Sequence, residues 1–574
     1  MQQVSPFRIL KKYITQKEYL VLLIASFASM IALSLLSLTI PKITSTVINE
    51  FQSNYSIPTS FYAIIAVLLL VTAGFFMLQS YFFGVLGEKI AKDLRNRLMT
   101  KVLNQDYNYL VKEKSSKILT VVLNDVNNVK LSFIQIFTLV ISSTVLIIGS
   151  IFLMFSINGK IATYIVLTIP AVIGILFLLL RKKFGIFKKI QKVRDSLNKV
   201  INENIKASML IRVFVSEKTE LKKFEKRNRD TKRVGIDISK LFAIAIPAVN
   251  AISLISMLII IQIGGSEVIK GNIQIGDISA FNLYVLIFTM PLLAISFMST
   301  LFGQSIASLR RIGDVLYKPN EFIDGKEPLG KISNVLVKKL SFVDEGAAIL
   351  KDIDFEIRNG QKIGIMGLTG SGKSIFLRHL IRAIENTDGD IFINNENIKK
   401  YKVKDIRKNI GFCFQDNFLV NDSIYENIRF GRDIPEKEIM KVAKLADVDE
   451  FAKESENGYQ TKVGERGSSI SGGQKQRIMI ARALAGKPSL LIFDDITSRL
   501  DANTEKKIFD NIKREYKDIS MILVSQKVSS FIDCDMIYIF DEGEIKEKGT
   551  HKELLEKSPL YKEIELAQSN YDER

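Results

Sequence analysis

The chain has 574 residues, of which 47% are hydrophobic and 24% are charged, and its mean hydropathy is +0.17. This length is too great for one ordinary hydrophobic core and predicts at least two domains. A soluble protein this rich in charge would rarely have an apolar average. The composition therefore excludes a uniformly soluble chain and places the apolar and the charged residues in different halves.

The formal net charge is +18, and this excess of positive charge has two possible explanations. Nucleic acid would be one partner for such an excess, and basic loops beside membrane spans would be another explanation. The lysines and arginines concentrate next to the apolar runs, which favours the membrane and argues against nucleic acid. The two cysteines, Cys413 and Cys534, lie far apart without metal-ligand spacing, so neither a disulfide framework nor a zinc site is predicted.

Six apolar runs in the first half are each long enough to cross a bilayer as a helix, which needs roughly 20 residues. They cover residues 19–40, 61–86, 132–157, 161–180, 241–263 and 278–302. Buried helices of a soluble protein are the alternative, and six such runs with few ionised residues disfavour it. The scarcity of charge inside the runs argues against an ion pump and is compatible with an apolar or amphiphilic cargo.

The basic residues around the six runs predict how the chain is oriented in the membrane. Lys and Arg are abundant before the first run, between the second and third runs and between the fourth and fifth runs, whereas the other three links are short and carry almost none. Both termini are therefore predicted to be cytoplasmic, in an integral protein of the cell (plasma) membrane. The two long basic links are expected to extend their neighbouring spans into the cytoplasm as helices.

A stretch rich in Pro, Gly and charge separates the membrane half from a soluble half, in which alternating strand and helix patterns are typical of a parallel α/β sheet. We expect four parts, namely a transmembrane domain at 1–316, a linker at 317–331, an α/β domain at 332–566 and a polar tail at 567–574.

The strongest motif of the soluble half is a complete phosphate-binding P-loop. A strand-like run, 362–366, precedes it and a helical pattern, 375–384, follows it. The glycines let backbone N–H groups surround a phosphate at a helix N-terminus, Lys373 would reach the β- and γ-phosphates, and Ser374 would hold Mg²⁺. The loop residues are Gly367, Leu368, Thr369, Gly370, Ser371, Gly372, Lys373 and Ser374. The predicted cofactors are ATP and Mg²⁺, and the predicted fold is an all-α six-helix transmembrane domain followed by an α/β P-loop ATPase domain.

Two further patterns follow the P-loop. An apolar run, 490–493, ends in Asp494 and Asp495, and a buried strand that delivers a carboxylate beside a P-loop is the usual second half of a magnesium–nucleotide site. Before that run, a Ser-Gly-Gly-Gln turn opens a helix. The turn is either a helix cap or a second anion cradle, and both interpretations stay open. Its residues are Ser471, Gly472, Gly473 and Gln474.

Taken in order, these motifs resemble the P-loop, Q-loop, signature, Walker B and D-loop of ABC transporters. Gln415 looks like the Q-loop residue, the Ser-Gly-Gly-Gln turn looks like the signature, and Asp501 looks like the D-loop aspartate. The six apolar runs and Asn124-Asp125-Val126 extend the likeness over nearly the whole chain, which is similar to exporter-type half-transporters. The resemblance implies that Gln415 joins Ser374 and Asp494 around Mg²⁺.

The resemblance also implies an assembly. In the family, two ATPase domains meet head to tail, and each ATP is held by the P-loop of one domain and the signature of the other. Closure acts on the membrane helices through short coupling helices, which would lie here within 107–117 and 203–214, and residues 461–467 look like the loop that contacts the membrane domain. A chain with one ATPase domain must pair with a second half-transporter subunit. Its fusion to the spans favours export. The expected partners besides that subunit are membrane lipid and a small-molecule, lipid or peptide cargo, and no nucleic acid is expected.

Three positions depart from the family pattern. Asp495 replaces the glutamate that positions the attacking water, and its carboxylate is one methylene short, a misplacement that can cost about a hundredfold in rate. Gln526 replaces the switch histidine within 523–527, and an amide can donate a hydrogen bond to phosphate but cannot carry a proton. In the family, an aromatic residue stacks on adenine, and here its position holds Asp344. The stacking contribution would be lost unless Phe342 substitutes. The catalytic positions are thus Lys373 with the altered Asp495 and Gln526.

The signature and Asp501 are intact, and in the family these residues serve the partner's site. We therefore expect a heterodimeric exporter in which this chain's own site hydrolyses ATP slowly or not at all, with a partner that carries Glu and His at the altered positions. A slow homodimeric exporter and an ATP-gated regulator or channel are the alternatives. A soluble ABC protein acting on nucleic acid is disfavoured by the six spans, and the identity of the cargo is not readable.

Overall fold

The computed structural model describes residues 15–572 apart from 55–57, 106–108, 110–112, 114, 320–323, 345, 417 and 465–466, together with Ile9 and Tyr13. Within helices, the description leaves out the side chains of 172–173, 175–188, 191, 241–242, 245, 290, 292–300, 497–498 and 569–572. The chain forms two compact units, one comprising Met1–Asn104 with Glu113–Pro319 and the other Gln105–Lys112 with Asn320–Arg574.

The first unit consists of helices, several of them much longer than a bilayer is thick. In chain order they are α1 (Lys17–Asn54), α2 (Thr59–Leu103), α3 (Ser115–Thr120), α4 (Val126–Ile157), α5 (Gly159–Val166), α6 (Thr168–Lys206), α7 (Ser208–Val213), α8 (Glu217–Ile269) and α9 (Ile275–Leu316). Helix α8 has 53 residues. At ~1.5 Å per residue it spans about 80 Å, whereas a bilayer core is ~30 Å thick. The helices therefore continue through the basic link between the fourth and fifth apolar runs, as predicted.

Four helical segments among the described residues are long and apolar enough to cross a membrane, namely Lys17–Ser53, Thr59–Leu103, Ser115–Ile157 and Ile246–Ile269. They contain the first, second and third predicted spans, and the last of them overlaps the fifth predicted span from residue 246 onward. The fourth predicted span, 161–180, crosses a turn at Leu167 between α5 and α6, and the sixth lies in α9. Both of these runs enter residues whose side chains are outside the description, and shorter apolar helices are found there at Gly159–Ala171 and Ile275–Thr289.

Of the two predicted coupling helices, only the second lies within the described part of the chain. Helix α7 falls inside the predicted range 203–214 and is a separate short helix between α6 and α8. Most of 107–117 lies outside the described residues, as do two residues of the loop 461–467.

An ion pair with a buried carboxylate fixes α9 against the start of α4. A π-helical turn, Val121–Asp125, joins α3 to α4 and directs the Asp125 side chain inward, where the residue is only 1% exposed. Its carboxylate accepts hydrogen bonds from Arg311 through Nε at 2.7 Å and Nη2 at 2.6 Å, and from the Ser308 hydroxyl at 2.8 Å. Charge-assisted, bidentate bonds of this kind are strong and directional. The Asn124-Asp125-Val126 motif therefore has a structural role in packing these two helices.

The second unit is built on two sheets. Its strands are β1 (Asn334–Asp344), β2 (Ala347–Arg358), β3 (Lys362–Gly367), β4 (Asp388–Ile393), β5 (Glu396–Asn397), β6 (Ile410–Cys413), β7 (Leu490–Asp494), β8 (Ser520–Val524), β9 (Met536–Asp541) and β10 (Glu544–Gly549). Four strands form an antiparallel sheet in the order β2-β1-β4-β5, and six form a sheet in the order β10-β9-β3-β8-β7-β6 that is parallel except for β10. The predicted α/β fold is confirmed.

The second unit also contains nine α-helices among its described residues, connected to the strands by loops. They are α10 (Lys373–Leu380), α11 (Val403–Asn409), α12 (Ile424–Arg429), α13 (Glu436–Leu445), α14 (Val448–Glu454), α15 (Gly472–Leu484), α16 (Ala502–Glu515), α17 (His551–Lys557) and α18 (Pro559–Asp572). Helix α10 begins two residues before the predicted range 375–384 and ends four residues before its end. Helix α18 continues past residue 566 and includes residues 567–572 of the predicted polar tail.

The carboxyl ends of three central strands meet at one edge of the parallel sheet. Strands β7 and β8 are buried along their whole length, and β3 lies beside β8. Asp494 at the end of β7 pairs with Val524 at the end of β8, which pairs in turn with Ile365 of β3. In parallel sheets ligands bind at this edge, because the loops that leave the strands gather there.

The first prediction concerns the ion pair in the membrane unit. Arg311→Ala leaves the Asp125 carboxylate buried with Ser308 as its remaining described hydrogen-bond donor, and an uncompensated buried charge is strongly destabilising. We expect a loss of roughly 2–3 kcal/mol in the free energy of unfolding, seen as a lower thermal midpoint of the purified protein.

The matched control is Arg310→Ala, because Arg310 is the preceding residue on the same helix and is exposed. We expect its midpoint to stay close to that of the unmodified protein. Equal midpoints for the two variants would contradict a structural role for the Asp125–Arg311 pair.

Candidate nucleotide-binding site

Glycines shape the loop between β3 and α10 so that the chain can turn tightly at the sheet edge. A Cβ on Gly367 would stand 2.2 Å from the carbonyl oxygen of Phe540, and a Cβ on Gly372 would stand 2.8 Å from Leu350 Cδ2. Gly370 and Gly372 also have positive φ angles, of 90° and 98°, which residues with a side chain adopt at a cost. A side chain would therefore clash with backbone at Gly367 and would strain the backbone at Gly370 and Gly372, and the loop leads directly into the N-terminus of α10.

The ammonium group of Lys373 closes this loop from the inside. Its Nζ atom donates to the carbonyl oxygens of Gly367 and Leu368, both at 2.7 Å, and to the Ser371 hydroxyl at 3.3 Å. Burial lowers the pKa of Lys373, while the nearby carboxylates of Asp494 and Asp495 oppose that shift. The lysine is thus a partly desolvated cation whose hydrogen bonds, within the described residues, go to neutral oxygen atoms that an anion could replace.

Two carboxylates face the loop from the end of β7. Asp494 is 5% exposed and accepts a hydrogen bond from the Ser374 hydroxyl at 3.2 Å. Burial raises its pKa, against the opposing effects of Ser374 and Arg378. Burial also raises the pKa of Asp495, which Lys373 opposes. Both aspartates are therefore less favourable as anions here than in water, and a cation beside them would offset that cost.

One cavity of about 180 Å³ brings most of the predicted site residues together. The P-loop, the Q-loop residue, both aspartates and the residue at the switch position contribute to its wall. The sequence-predicted residues in that wall are Thr369, Gly370, Gly372, Lys373, Ser374, Gln415, Asp494, Asp495 and Gln526. The remaining lining residues, which are not among the predicted site residues, are Ile349, Ile375, Val524 and Ser525. Val524 and Ser525 directly precede Gln526, so their place in the sequence could have indicated them, whereas Ile349 carries no such signal.

The donor set at this edge suits Mg²⁺ shared with a phosphate. Ser374 and Asp494 present oxygen atoms 3.2 Å apart, and Gln415 adds an amide to the same cavity. Mg²⁺ prefers oxygen ligands and is usually held by one or two carboxylates together with substrate phosphates. No group of three or more His, Cys, Asp or Glu residues that could hold a metal occurs within the described residues. These residues therefore fit a magnesium ion that a nucleotide helps to bind.

The Ser-Gly-Gly-Gln turn and Asp501 lie outside the wall of this cavity. Ser471 and Gln474 form a capping box, in which the Ser471 hydroxyl accepts from the Gln474 N–H at 3.2 Å and Gln474 Oε1 accepts from the Ser471 N–H at 2.9 Å. Both glycines between them pack closely against Arg499. Asp501 caps α16 by accepting from the Thr504 N–H at 2.9 Å. The capping interpretation is thus confirmed, and it leaves the helix N-terminus available to an anion.

The position expected to contact adenine has no available aromatic ring. Asp344 ends β1. Phe342 is 7% exposed and packs edge-to-face against His379, with ring centroids 4.9 Å apart. Since Phe342 is part of the core and does not line the cavity, the structure contradicts the suggestion that it substitutes for the missing stacking residue.

Comparisons with known proteins agree with this architecture. Residues 19–292 match the family described as ABC transporter transmembrane region, and residues 350–498 match the family described as ABC transporter. The ABC transporter ATP-binding protein YfiB of Bacillus subtilis (strain 168) is 32% identical over 85% of this chain and 86% of its own length.

Two other similar proteins carry names that describe transport. The multidrug resistance-like ATP-binding protein MdlA of Buchnera aphidicola subsp. Schizaphis graminum is 30% identical over 97% of both chains. The ATP-dependent lipid A-core flippase of Syntrophus aciditrophicus (strain SB) is 27% identical over 88% of this chain and 85% of its own length.

A solved structure shares the fold over nearly the full length. The structure of a bacterial Atm1-family ABC exporter with ATP bound superposes with a TM-score of 0.79, covers 95% of this chain and 98% of its own, and is 21% identical. The helical unit followed by the α/β unit is therefore a known arrangement.

The second prediction uses the buried carboxylate. Because the pKa of Asp494 is raised in the folded state, its protonated form stabilises the fold at low pH, and that contribution is lost as pH rises through the folded pKa. At neutral pH the ionised group therefore costs stability. We expect Asp494→Asn to raise the thermal midpoint of the nucleotide-free protein by about 2–4 °C at pH 7, and to remove the further rise that millimolar Mg·ATP causes.

Asp510→Asn is the matched control for this substitution, since Asp510 lies exposed on α16. We expect it to change neither the midpoint without nucleotide nor the rise with Mg·ATP. If the Asp494→Asn protein gained as much stability from Mg·ATP as the unmodified protein, Asp494 would not be part of the nucleotide site.

Proposed function

Since the chain belongs to the ABC transporters, as a half-transporter in which a membrane region precedes one ATPase domain, we propose that it is the subunit with the altered ATP site in a heterodimeric exporter. Proteins of this kind are integral membrane proteins that work as dimers, bind ATP and move a cargo. The observation that carries the proposal is that Asp495 and Gln526 line the same cavity as the P-loop lysine.

Each altered residue removes one part of hydrolysis while leaving binding intact. Lys373 and the loop N–H groups would hold the β- and γ-phosphates, and Ser374, Gln415 and Asp494 would hold Mg²⁺, which neutralises charge on the phosphates. The Asp495 carboxylate is one methylene shorter than a glutamate and stands farther from the water it would orient. Gln526 can donate a hydrogen bond to the γ-phosphate but cannot take up or release a proton. We infer that this site retains ATP and turns it over slowly.

The signature turn would serve the ATP of the partner subunit. Its capping box holds Ser471 and the two glycines at the N-terminus of α15, a helix of 13 residues. Such a terminus favours an anion through its free N–H groups and its dipole. It lies outside this chain's own cavity, so a second subunit must supply the phosphate. A partner with Glu and His at the altered positions would then have a complete hydrolytic site.

Helix α7 is the candidate link between ATP and the membrane. Met209, Leu210 and Phe214, in and directly after this helix, are 79%, 63% and 70% exposed. An apolar cluster of this kind on a short helix is typical of a docking surface. We propose that it docks on the ATPase domain of the partner subunit and transmits closure of the two domains.

The cargo and the membrane are proposed on weaker support. The names of two relatives point to drugs and to a lipid, and the described spans are apolar, so a hydrophobic or amphiphilic cargo fits best. The basic links favour cytoplasmic termini, and we infer that the transporter lies in the plasma membrane.

The third prediction restores the missing chemistry. Asp495→Glu combined with Gln526→His returns the longer carboxylate and a titratable switch, while the P-loop stays unchanged. We expect Mg²⁺-dependent ATP turnover at this chain's own site to rise at least tenfold, within the range that general-base groups contribute. The measurement is the ATPase rate of the purified transporter, together with its partner where one co-purifies.

Lys373→Ala in the same double variant is the control, because a gain at this chain's own site requires its P-loop. We expect that addition to remove the gain. A double variant no faster than the unmodified protein would contradict the proposal that these two positions limit hydrolysis, and full turnover by the unmodified chain alone would contradict the heterodimer.

A further inference from the structure

The last helix of the chain holds the backbone beside the switch position. The side-chain amide of Gln568, on α18, bonds to two backbone groups that flank Lys527. Its Nε2 donates to the carbonyl oxygen of Gln526 at 2.7 Å, and its Oε1 accepts from the N–H of Val528 at 2.9 Å. The NH2 group and the carbonyl oxygen of the amide therefore each make one of these two bonds.

Helix α18 is itself firmly anchored, so Gln568 has a fixed place. Tyr561 is fully buried, and its hydroxyl lies 2.9 Å from Nδ1 of His551. The backbone N–H of Tyr561 donates to the Ser558 hydroxyl at 3.0 Å. Ile564 packs against the same core as Tyr561. Positions 561, 564 and 568 share one face of a helix, so the face that docks the helix also presents Gln568 to the switch segment, residues 523–527.

The hydrophobic core also holds the switch segment in place, through residues next to Gln526 and directly after the segment. Ser525 is buried, and its hydroxyl accepts from the N–H of Lys527 at 3.0 Å. Val528 and Phe531 are buried in the short 3-10 helix, Val528–Phe531, that follows. The Gln526 side chain, in contrast, is exposed and lines the nucleotide cavity. Gln526 therefore presents an exposed side chain from a backbone that both Gln568 and the core hold in place.

We propose that Gln568 is a positioning residue that sets where the Gln526 amide stands relative to the γ-phosphate of ATP. This inference rests on the proposed function, since it assigns a support to the same nucleotide site. Because the β-phosphate is held by the P-loop and only the γ-phosphate would meet Gln526, Gln568 affects ATP and leaves ADP largely unaffected. The C-terminal helix thus contributes to the preference of this site for ATP.

The test measures nucleotide affinity at this chain's own P-loop. The full-length transporter is photolabelled with an azido analogue of ATP in the presence of Mg²⁺, and the label is read on this chain alone after separation by size. Unlabelled Mg·ATP and Mg·ADP are then titrated as competitors. For Gln568→Ala we expect the half-displacing concentration of ATP to rise about fivefold, the effect of one or two lost hydrogen bonds, and that of ADP to change less than about twofold.

Two further variants make the test specific. Gln568→Glu keeps an acceptor for the Val528 N–H but cannot donate to Gln526, so we expect the same selective loss for ATP with the helix preserved. Glu563→Ala, on the exposed face of the same helix, should change neither affinity. An unchanged ATP-to-ADP ratio in both Gln568 variants, or an equal loss for both nucleotides, would overturn the positioning role. Lys373→Ala that kept full labelling would instead overturn the proposed function.

Discussion

The structure depends on one electrostatic constraint, the confinement of an ammonium and two carboxylates with little water at the edge where three buried strands end. Burial lowers the pKa of Lys373 and raises the pKa of both Asp494 and Asp495, so every one of these groups is costly in its charged form. Each charged group offsets only part of the free-energy cost of ionising its neighbours of opposite charge. Under the proposed function, the phosphates of ATP and a magnesium ion complete this set of charges, which is why binding them can close a domain and do work on the membrane helices.

Binding and hydrolysis make different demands on the same cavity. The P-loop needs only a correctly folded backbone and one cation, and glycine secures that backbone because a side chain would clash at position 367 and strain the chain at position 372. Hydrolysis also needs a carboxylate at the right distance and a switch that responds to the γ-phosphate. Asp495 and Gln526 are close in type to what the family carries. Under the proposed function, each lacks a property that hydrolysis requires, and the site would hold ATP as a structural element of a dimer while the second site turns over.

Local patterns predict local structure well in this chain. The P-loop, the strand before it and the acidic end of β7 were predicted because strand, turn and helix signals are adjacent in sequence. Interactions between distant segments had no such signal. The partner of Asp125 is Arg311, 186 positions away, and the partner of Gln526 is Gln568, 42 positions away. The burial of Phe342 was likewise unpredictable, since it depends on how β1 packs against a helix that follows another strand.

The most direct measurement of the central claim is the identity of the nucleotide that stays bound to this chain during turnover. The transporter would be incubated with Mg²⁺ and radiolabelled ATP until many cycles had passed, freed rapidly of unbound nucleotide, and the retained label analysed. We expect one intact ATP per dimer, held at the P-loop of Lys373 and absent when that lysine is replaced by alanine. Recovery of ADP alone would mean that this site hydrolyses ATP as fast as its partner, and the proposal of an altered, ATP-retaining subunit would be wrong.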